Sequence, residues 1–246
     1  MKKNIITIAI FLFFVSIVNA QTFKNTSIAI GLSTATIMGN NPASKSIFPS
    51  SNADPIIIGG GFYGAQPGLE VRITVPIDED NRWRIPFGFN NQFFSATERV
   101  PEGANVEDRI SHTLNILTPY VGVSYVLQDL KYLKAKTYVS LEFTTSMIQN
   151  IDYRLTRNYF FVNQLDTTAV FPTKGNTTRY GGLIRAGVEG YLFYPLQINA
   201  SVGFTLVNAL GRDNQRSELL TPTHYLETRE SYLWNFVISF LFQYTI

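Results

Sequence analysis

Over its final stretch the chain reads Tyr232-Leu233-Trp234-Asn235-Phe236-Val237-Ile238-Ser239-Phe240-Leu241-Phe242-Gln243-Tyr244-Thr245-Ile246. The even positions are all large: Tyr232, Trp234, Phe236, Ile238, Phe240, Phe242, Tyr244 and Ile246. The odd positions, Leu233, Asn235, Val237, Ser239, Leu241, Gln243 and Thr245, are mixed and mostly smaller. Successive side chains on a strand point to opposite faces, so this period of two marks a strand whose faces meet different surroundings.

The same reading works backwards. Ile198 to Leu206, Ile184 to Val188, Val139 to Phe143, Val121 to Leu127, Trp83 to Phe89, Leu69 to Val75 and Ile28 to Leu32 alternate in the same way, giving eight segments in all. A soluble sandwich or barrel also alternates, but its second face meets water and carries mainly Lys, Glu and Thr. Here the second parity is rich in Gly, Ser, Ala and Asn. Small residues suit the cramped inside of a narrow closed barrel, and bulky apolar ones suit lipid. The expected fold is therefore all-β, an eight-stranded antiparallel up-and-down transmembrane β-barrel.

Connections agree with that choice. The links at 78–81, 128–134 and 193–196 are short, whereas those around 38–66, 98–112, 150–177 and 212–230 are long. Strict alternation of tight turns and extended loops is expected of an outer-membrane barrel, with the tight turns in the periplasm. Aromatic residues gather near segment ends: Trp83, Tyr132, Phe193, Tyr194, Phe242 and Tyr244 toward the turns, Tyr225, Tyr232 and Trp234 toward the loops. Amphipathic rings in such places form interfacial girdles.

Composition narrows the function. Of 246 residues 45% are hydrophobic and only 15% charged, with no cysteine and a formal charge of +2. The missing cysteine removes disulfides, thiolate chemistry and iron–sulfur or sulfur-bound zinc sites. Met1-Lys2-Lys3, the apolar run Ile5 to Val18 and the small Ala20 form the three parts of a secretory signal. Residues 1–20 are expected to be cleaved, leaving 21–246 as the barrel and as the end of the protein, with no periplasmic domain behind it. Loss of Lys2 and Lys3 reduces 20 basic residues to 18, equal to the 18 acids. Nucleic acid is thus not an expected partner.

With the terminal strand Trp234 to Ile246 in view, the chain resembles the eight-stranded outer-membrane barrels of the OmpA-like and OmpX-like group. The resemblance covers nearly all of 21–246 and is one of pattern. That family usually finishes on Phe, where this chain finishes on Ile246 with Tyr244 two before it. The resemblance implies recognition of the last strand by the barrel-assembly machinery and residence in the outer membrane among lipid and lipopolysaccharide. It also implies, for some small barrels, service as an accessory part of an envelope or secretion complex.

Six charged residues fall on the inward parity: Glu70, Arg72, Arg84, Glu142, Arg185 and Glu189. Counted from the short turns, Glu70, Arg72, Glu142 and Arg185 should lie at similar depth, with Arg84 and Glu189 nearer the periplasm. Unpaired charges in a side-chain-filled lumen are strongly unfavourable, so ion pairs are expected there. Such pairs serve either a polar plug that closes the interior or a gated path for ions and small solutes.

Other candidates for chemistry are weaker. Gly59 to Gly64 fits G-x-G-x-x-G, but Pro67 and an alternating strand follow where a dinucleotide site needs a helix. A bulged strand start at the membrane rim is expected instead. The only histidines, His112 and His224, fall in or beside long loops, with Ser111, Asp108 and Glu107 near the first. A Ser/His/acid set at the outer rim would suit a lipid acyl hydrolase, yet neighbours on a strand point apart and Ser111 cannot easily reach His112. In the loop 150–177 the residues Tyr153, Arg154, Arg157, Tyr159, Phe160 and Phe161 offer a contact surface for a sugar, a lipid phosphate or a protein, unless the strands simply continue as a hairpin. Asp78-Glu79-Asp80 lacks the spacing of a calcium loop, and no cofactor or metal is expected. The sequence thus reads as a non-enzymatic barrel with long loops for binding or docking.

Overall fold

A computed structural model describes residues 25–47, 59–160, 165–170, 173–213, 218–221 and 229–246. The expected signal segment 1–20, Phe161, His224 and Tyr225 lie outside these residues. The described strands are β1 (Ser27–Met38), β2 (Ala65–Pro76), β3 (Trp83–Pro101), β4 (Val106–Leu130), β5 (Ala135–Tyr159), β6 (Thr167–Val170), β7 (Thr177–Phe193), β8 (Leu196–Leu210) and β9 (Trp234–Thr245). All pairings are antiparallel. Eight strands run in the order β4-β3-β2-β1-β9-β8-β7-β5, and pairing of β4 with β5 closes the ring. The short β6 stands outside it and, among the described residues, pairs with Arg154 to Arg157 of β5.

The alternation has the orientation that a membrane barrel requires. Leu32 and Leu141 are 67% and 65% exposed on the outer wall, whereas Arg185 and Glu142 are 2% and 1% exposed inside. Trp234, Phe240 and Phe242 also face outward. A belt of Leu, Ile, Val and Phe around a closed ring with polar side chains inside has no stable place in water and fits hydrocarbon.

Three strands outlast that belt. On β4 the outward residues are apolar from Leu117 to Leu127 and then become Asn115, Thr113, Ser111 and Arg109. The inward residues change in the opposite sense, to Ile116, Leu114 and Ile110, all buried. Ala35 and Ile37 on β1, Phe94 and Ala96 on β3, and Ile148 and Tyr153 on β5 follow suit. The alternation therefore inverts above the membrane: polar outside, apolar inside, as in a protein bathed in water.

This inversion corrects the expected loop at 98–112. Backbone pairing continues through Pro101↔Glu107, so that region is a tight hairpin tip. Likewise β5 continues to Tyr159, paired with Val106. Each outward polar residue still has an apolar inward neighbour, which keeps the ladder worth forming after lipid contact ends. The expected loop at 150–177 is thus strand up to Tyr159, with β6 folded back on it.

Candidate functional site

The lumen is layered, and its middle layer is ionic. Glu70 and Arg72 come from β2, Glu142 from β5 and Arg185 from β7. Arg185 donates through Nη1 to both oxygens of Glu70, at 2.9 and 3.1 Å, and through Nη2 to Glu142 at 3.3 Å. Arg72 donates through Nη2 to Glu70 at 2.9 Å and lies 4.0 Å from Glu142. Tyr120 donates to Glu70 at 2.7 Å, Ser140 to Glu142 at 2.6 Å, and Arg72 reaches the hydroxyls of Tyr120 and Tyr138. Two cations and two anions, all almost fully buried, thus share one lattice, the arrangement that makes buried charge tolerable.

Space for these long side chains comes from a regularity in the register. Glu70 lies opposite Gly31, Arg72 opposite Gly88, Glu142 opposite Gly122 and Arg185 opposite Gly203. Tyr138, which hydrogen-bonds to Arg72, lies opposite Gly187. A neighbour without a side chain lets each long group lie flat across the narrow lumen. At Gly122 a Cβ would come within 2.2 Å of the Leu141 carbonyl oxygen and 2.6 Å of the Glu142 Cα.

Arg84 and Glu189 do not join this lattice. They form a separate 2.5 Å pair nearer the short turns, where Gln243 also donates to Glu189 at 3.3 Å. A polar vestibule of about 90 Å³ opens beside them, lined among others by Asn25, Lys136 and Thr245.

Above the lattice the filling is apolar, which the sequence reading missed. Residues 41–47 and 59–62, from the two ends of the first long connection, enter the barrel mouth side by side. Four backbone bonds tie them: Gly59 to Ser46, Gly60 to Pro42, Gly61 to Lys45 and Phe62 to Ala43. Ala43, Ile47 and Phe62 join Leu219, Leu220 and Leu233 in the core with the inward residues of the walls. The Gly59–Gly61 run is therefore part of a stopper and not a bulged strand start at the rim. A Cβ on Gly60 would stand 2.5 Å from the Leu220 oxygen and 2.6 Å from the Ala43 oxygen, so only glycine lets these backbones meet.

His112 pins the stopper to the wall. It is fully buried, and its Nδ1 donates to the Gly60 carbonyl at 2.9 Å. Its ring lies against Phe62 and Tyr153, with centroids 4.5 and 5.3 Å away. Burial holds its pKa below the ordinary histidine value. Ser111, on the opposite face of β4, shares no site with it. Asp108 is engaged through both oxygens by Arg157, at 2.8 and 2.7 Å. No hydrolytic set is assembled among these residues.

Of the expected contact residues, Phe161 lies outside the described residues, and Tyr153, Arg154, Arg157, Tyr159 and Phe160 are spread over both faces and the end of the β5 extension. Tyr153 points into the core, where it is buried, while Arg154 points outward and pairs with Asp152 at 2.8 Å. Arg157 bridges Asp108 and Glu102, tying the hairpin tip to β5. Tyr159 ends the strand and Phe160 follows it, half exposed. The alternation of faces separates residues that are adjacent in sequence.

A second cluster, absent from the sequence reading, clasps the rim. Glu230 accepts from Arg179, Lys174 and Asn208, and Asp213 also lies within reach of both cations. Burial alone would raise the Glu230 pKa, but these donors hold it down to about 2. Lys174, Asp213 and Glu230 come from long connections with no alternation, while Arg179 and Asn208 stand at the loop-side ends of β7 and β8, so no single pattern announced it. The expected girdle residues are all exposed: Trp83, Trp234, Phe242 and Tyr244 on strands of the ring, Tyr194 in the β7–β8 turn and Tyr232 just before β9. Arg212 covers the Tyr232 ring at 3.7 Å.

A closed ring of eight antiparallel strands, greasy outside and ionic within, decides the architecture. The fold is that of the eight-stranded outer-membrane β-barrels. Solved structures similar to this barrel include Neisserial surface protein A (NspA), 10% identical, with a TM-score of 0.43 over 90% of this chain and 97% of that one. They also include Ail, the attachment invasion locus protein of Yersinia pestis, 9% identical over 90% of this chain and 99% of that one. Its complex with the heparin analogue sucrose octasulfate gives a TM-score of 0.41 and a further structure 0.35. No family model and no curated protein matches the sequence.

Proposed function

We propose that the protein is a closed, non-enzymatic outer-membrane barrel that works through its exposed hairpin and not through its lumen. The observation that carries this reading is the double obstruction: an ionic lattice spans the middle of the lumen, and an apolar stopper fills the end above it. A conducting path would have to break several buried ion pairs and then cross a greasy layer, and each step opposes ions.

The extension built from β3, β4 and β5 is the contact surface in this reading. Arg99 and Arg109 stand directly opposite each other on its outer face, and neither has an ion-pair partner among the described residues. Like charges placed opposite are unfavourable in an isolated sheet. Such a pair favours an anionic partner, whether a protein of an envelope or secretion assembly or the sugar–phosphate layer of lipopolysaccharide. The outer wall would be ringed by lipid, and the barrel-assembly machinery would insert the chain.

Planar-bilayer recording on purified protein tests the closed lumen. The expected result is no steady conductance at neutral pH. A stable, charge-selective conductance lost on Glu142→Gln would overturn this reading in favour of a pore.

A further inference from the structure

We infer that the lumen holds a buried water site between the ionic lattice and the apolar stopper, lined by Gln92, Thr144, Arg185 and Asn235. A cavity of about 30 Å³ lies at this level. Its upper wall is apolar, with Phe94, Ile116, Val207 and Val237. Its polar residues carry four solvent-inaccessible atoms without a partner among the described residues: Gln92 Oε1, Thr144 Oγ1, Arg185 Nε and Asn235 Oδ1. The parent residues are at most 5% exposed. Buried polar atoms almost always have partners, so four orphans around one cavity indicate an occupant.

The donor and acceptor set selects its chemistry. The Nη atoms of Arg185 are spent on Glu70, Glu142, Ser201 and Ser239, so Nε is the donor left over. Gln92 donates through Nε2 to Ser33 and Asn90, which fixes its Oε1 as an acceptor. Asn235 Oδ1 accepts, and the Thr144 hydroxyl does either. A metal cation here would meet a guanidinium, and an anion would meet two carbonyl oxygens. Water serves both kinds of atom, because it donates two bonds and accepts two.

Size agrees. One water needs roughly 10–15 Å³ of such space, so the cavity takes about two. They would hydrate the side of Arg185 turned away from the carboxylates. The lattice cation is then satisfied all round, and the apolar stopper can rest directly above it. The site stands apart from the polar vestibule, from which the lattice divides it.

A crystal structure of the native barrel soaked in sodium bromide and, separately, in rubidium chloride tests this. The expected result is ordered density bonded to Arg185 Nε and Asn235 Oδ1 with no anomalous signal from either ion. A bromide or rubidium peak would overturn the assignment to water, and so would closure of the four groups onto one another. In solution, water-to-protein cross-relaxation at Arg185 Hε should be present in the native barrel and lost in Ala35→Leu, which fills the cavity. Persistence of that signal in a folded Ala35→Leu barrel would count against the site. The native crystals carry the test should that variant fail to fold. None of these readouts depends on conductance, so a collapsed cavity in a non-conducting barrel would sink this inference and leave the closed-lumen reading standing.

Discussion

Arg185 and Glu70 face each other across the full width of the barrel. Their strands, β7 and β2, are four steps apart around the ring in either direction, yet Arg185 Nη1 lies within 2.9 Å of Glu70 Oε1. The lattice is therefore a strut across the lumen and not a set of bonds along one wall. Removing one end strands the other. Arg185→Leu should cost about 3–5 kcal/mol, the usual effect of orphaning a buried charge. Denaturant unfolding in micelles measures it, and a loss below about 1 kcal/mol would contradict the strut.

The glycines opposite the lattice ions should be selectively intolerant. Gly122→Val forces a side chain against the Leu141 oxygen and Glu142 Cα, and an overpacking cost of about 1–3 kcal/mol is expected. Gly182→Ala is the control, since a Cβ there meets only the Glu142 oxygen at an ordinary 3.6 Å. The temperature at which the compact gel band gives way to the unfolded one ranks the two variants. Equal behaviour would refute the spacing argument.

His112 predicts a pH dependence with a definite sign. Burial lowers its folded-state pKa, so the unfolded chain binds the proton more readily. Its contribution is fully present above pH 6.5, the ordinary histidine value, and is lost as pH falls toward the folded pKa. For one proton the slope cannot exceed about 1.4 kcal/mol per pH unit. His112→Phe keeps a ring against Phe62 and Tyr153 and should flatten the profile between pH 7 and 5. An unchanged profile would mean that other groups govern it.

The stopper should depend on Gly60. A branched side chain in Gly60→Val cannot fit between the Leu220 and Ala43 oxygens, so residues 59–62 should leave the mouth. Limited proteolysis of intact cells or proteoliposomes should then cut near this segment, while the ring of strands stays folded. Protection equal to that of the native protein would show that the mouth accommodates the change.

Where one rule governed a whole segment, the sequence was legible. The parity of Trp234, Phe236 and Phe240 against Ser239 and Gln243 survives intact in the fold, because hydrocarbon accepts only one kind of face. The depth grouping of Glu70, Arg72, Glu142 and Arg185 also followed from counting residues along tilted strands of one ring. The extension past Asn115 was not legible, since its alternation is inverted and resembles loop when read with the membrane rule. Adjacent apolar residues such as Phe93 and Phe94, or Ile116 and Leu117, mark the crossover between the two regimes. The stopper and the Glu230 clasp depend on irregular backbones meeting side by side, which no periodicity encodes.

The strut also constrains how the molecule comes into being. Glu70 and Arg185 are separated by 115 residues and belong to opposite walls, so an uncurled sheet cannot bring them together. Until the β1–β9 seam forms, these ions have only solvent or each other's near neighbours for company. Their mutual capture rewards the last stage of assembly alone, acting as a keystone that sets only when the arch is complete.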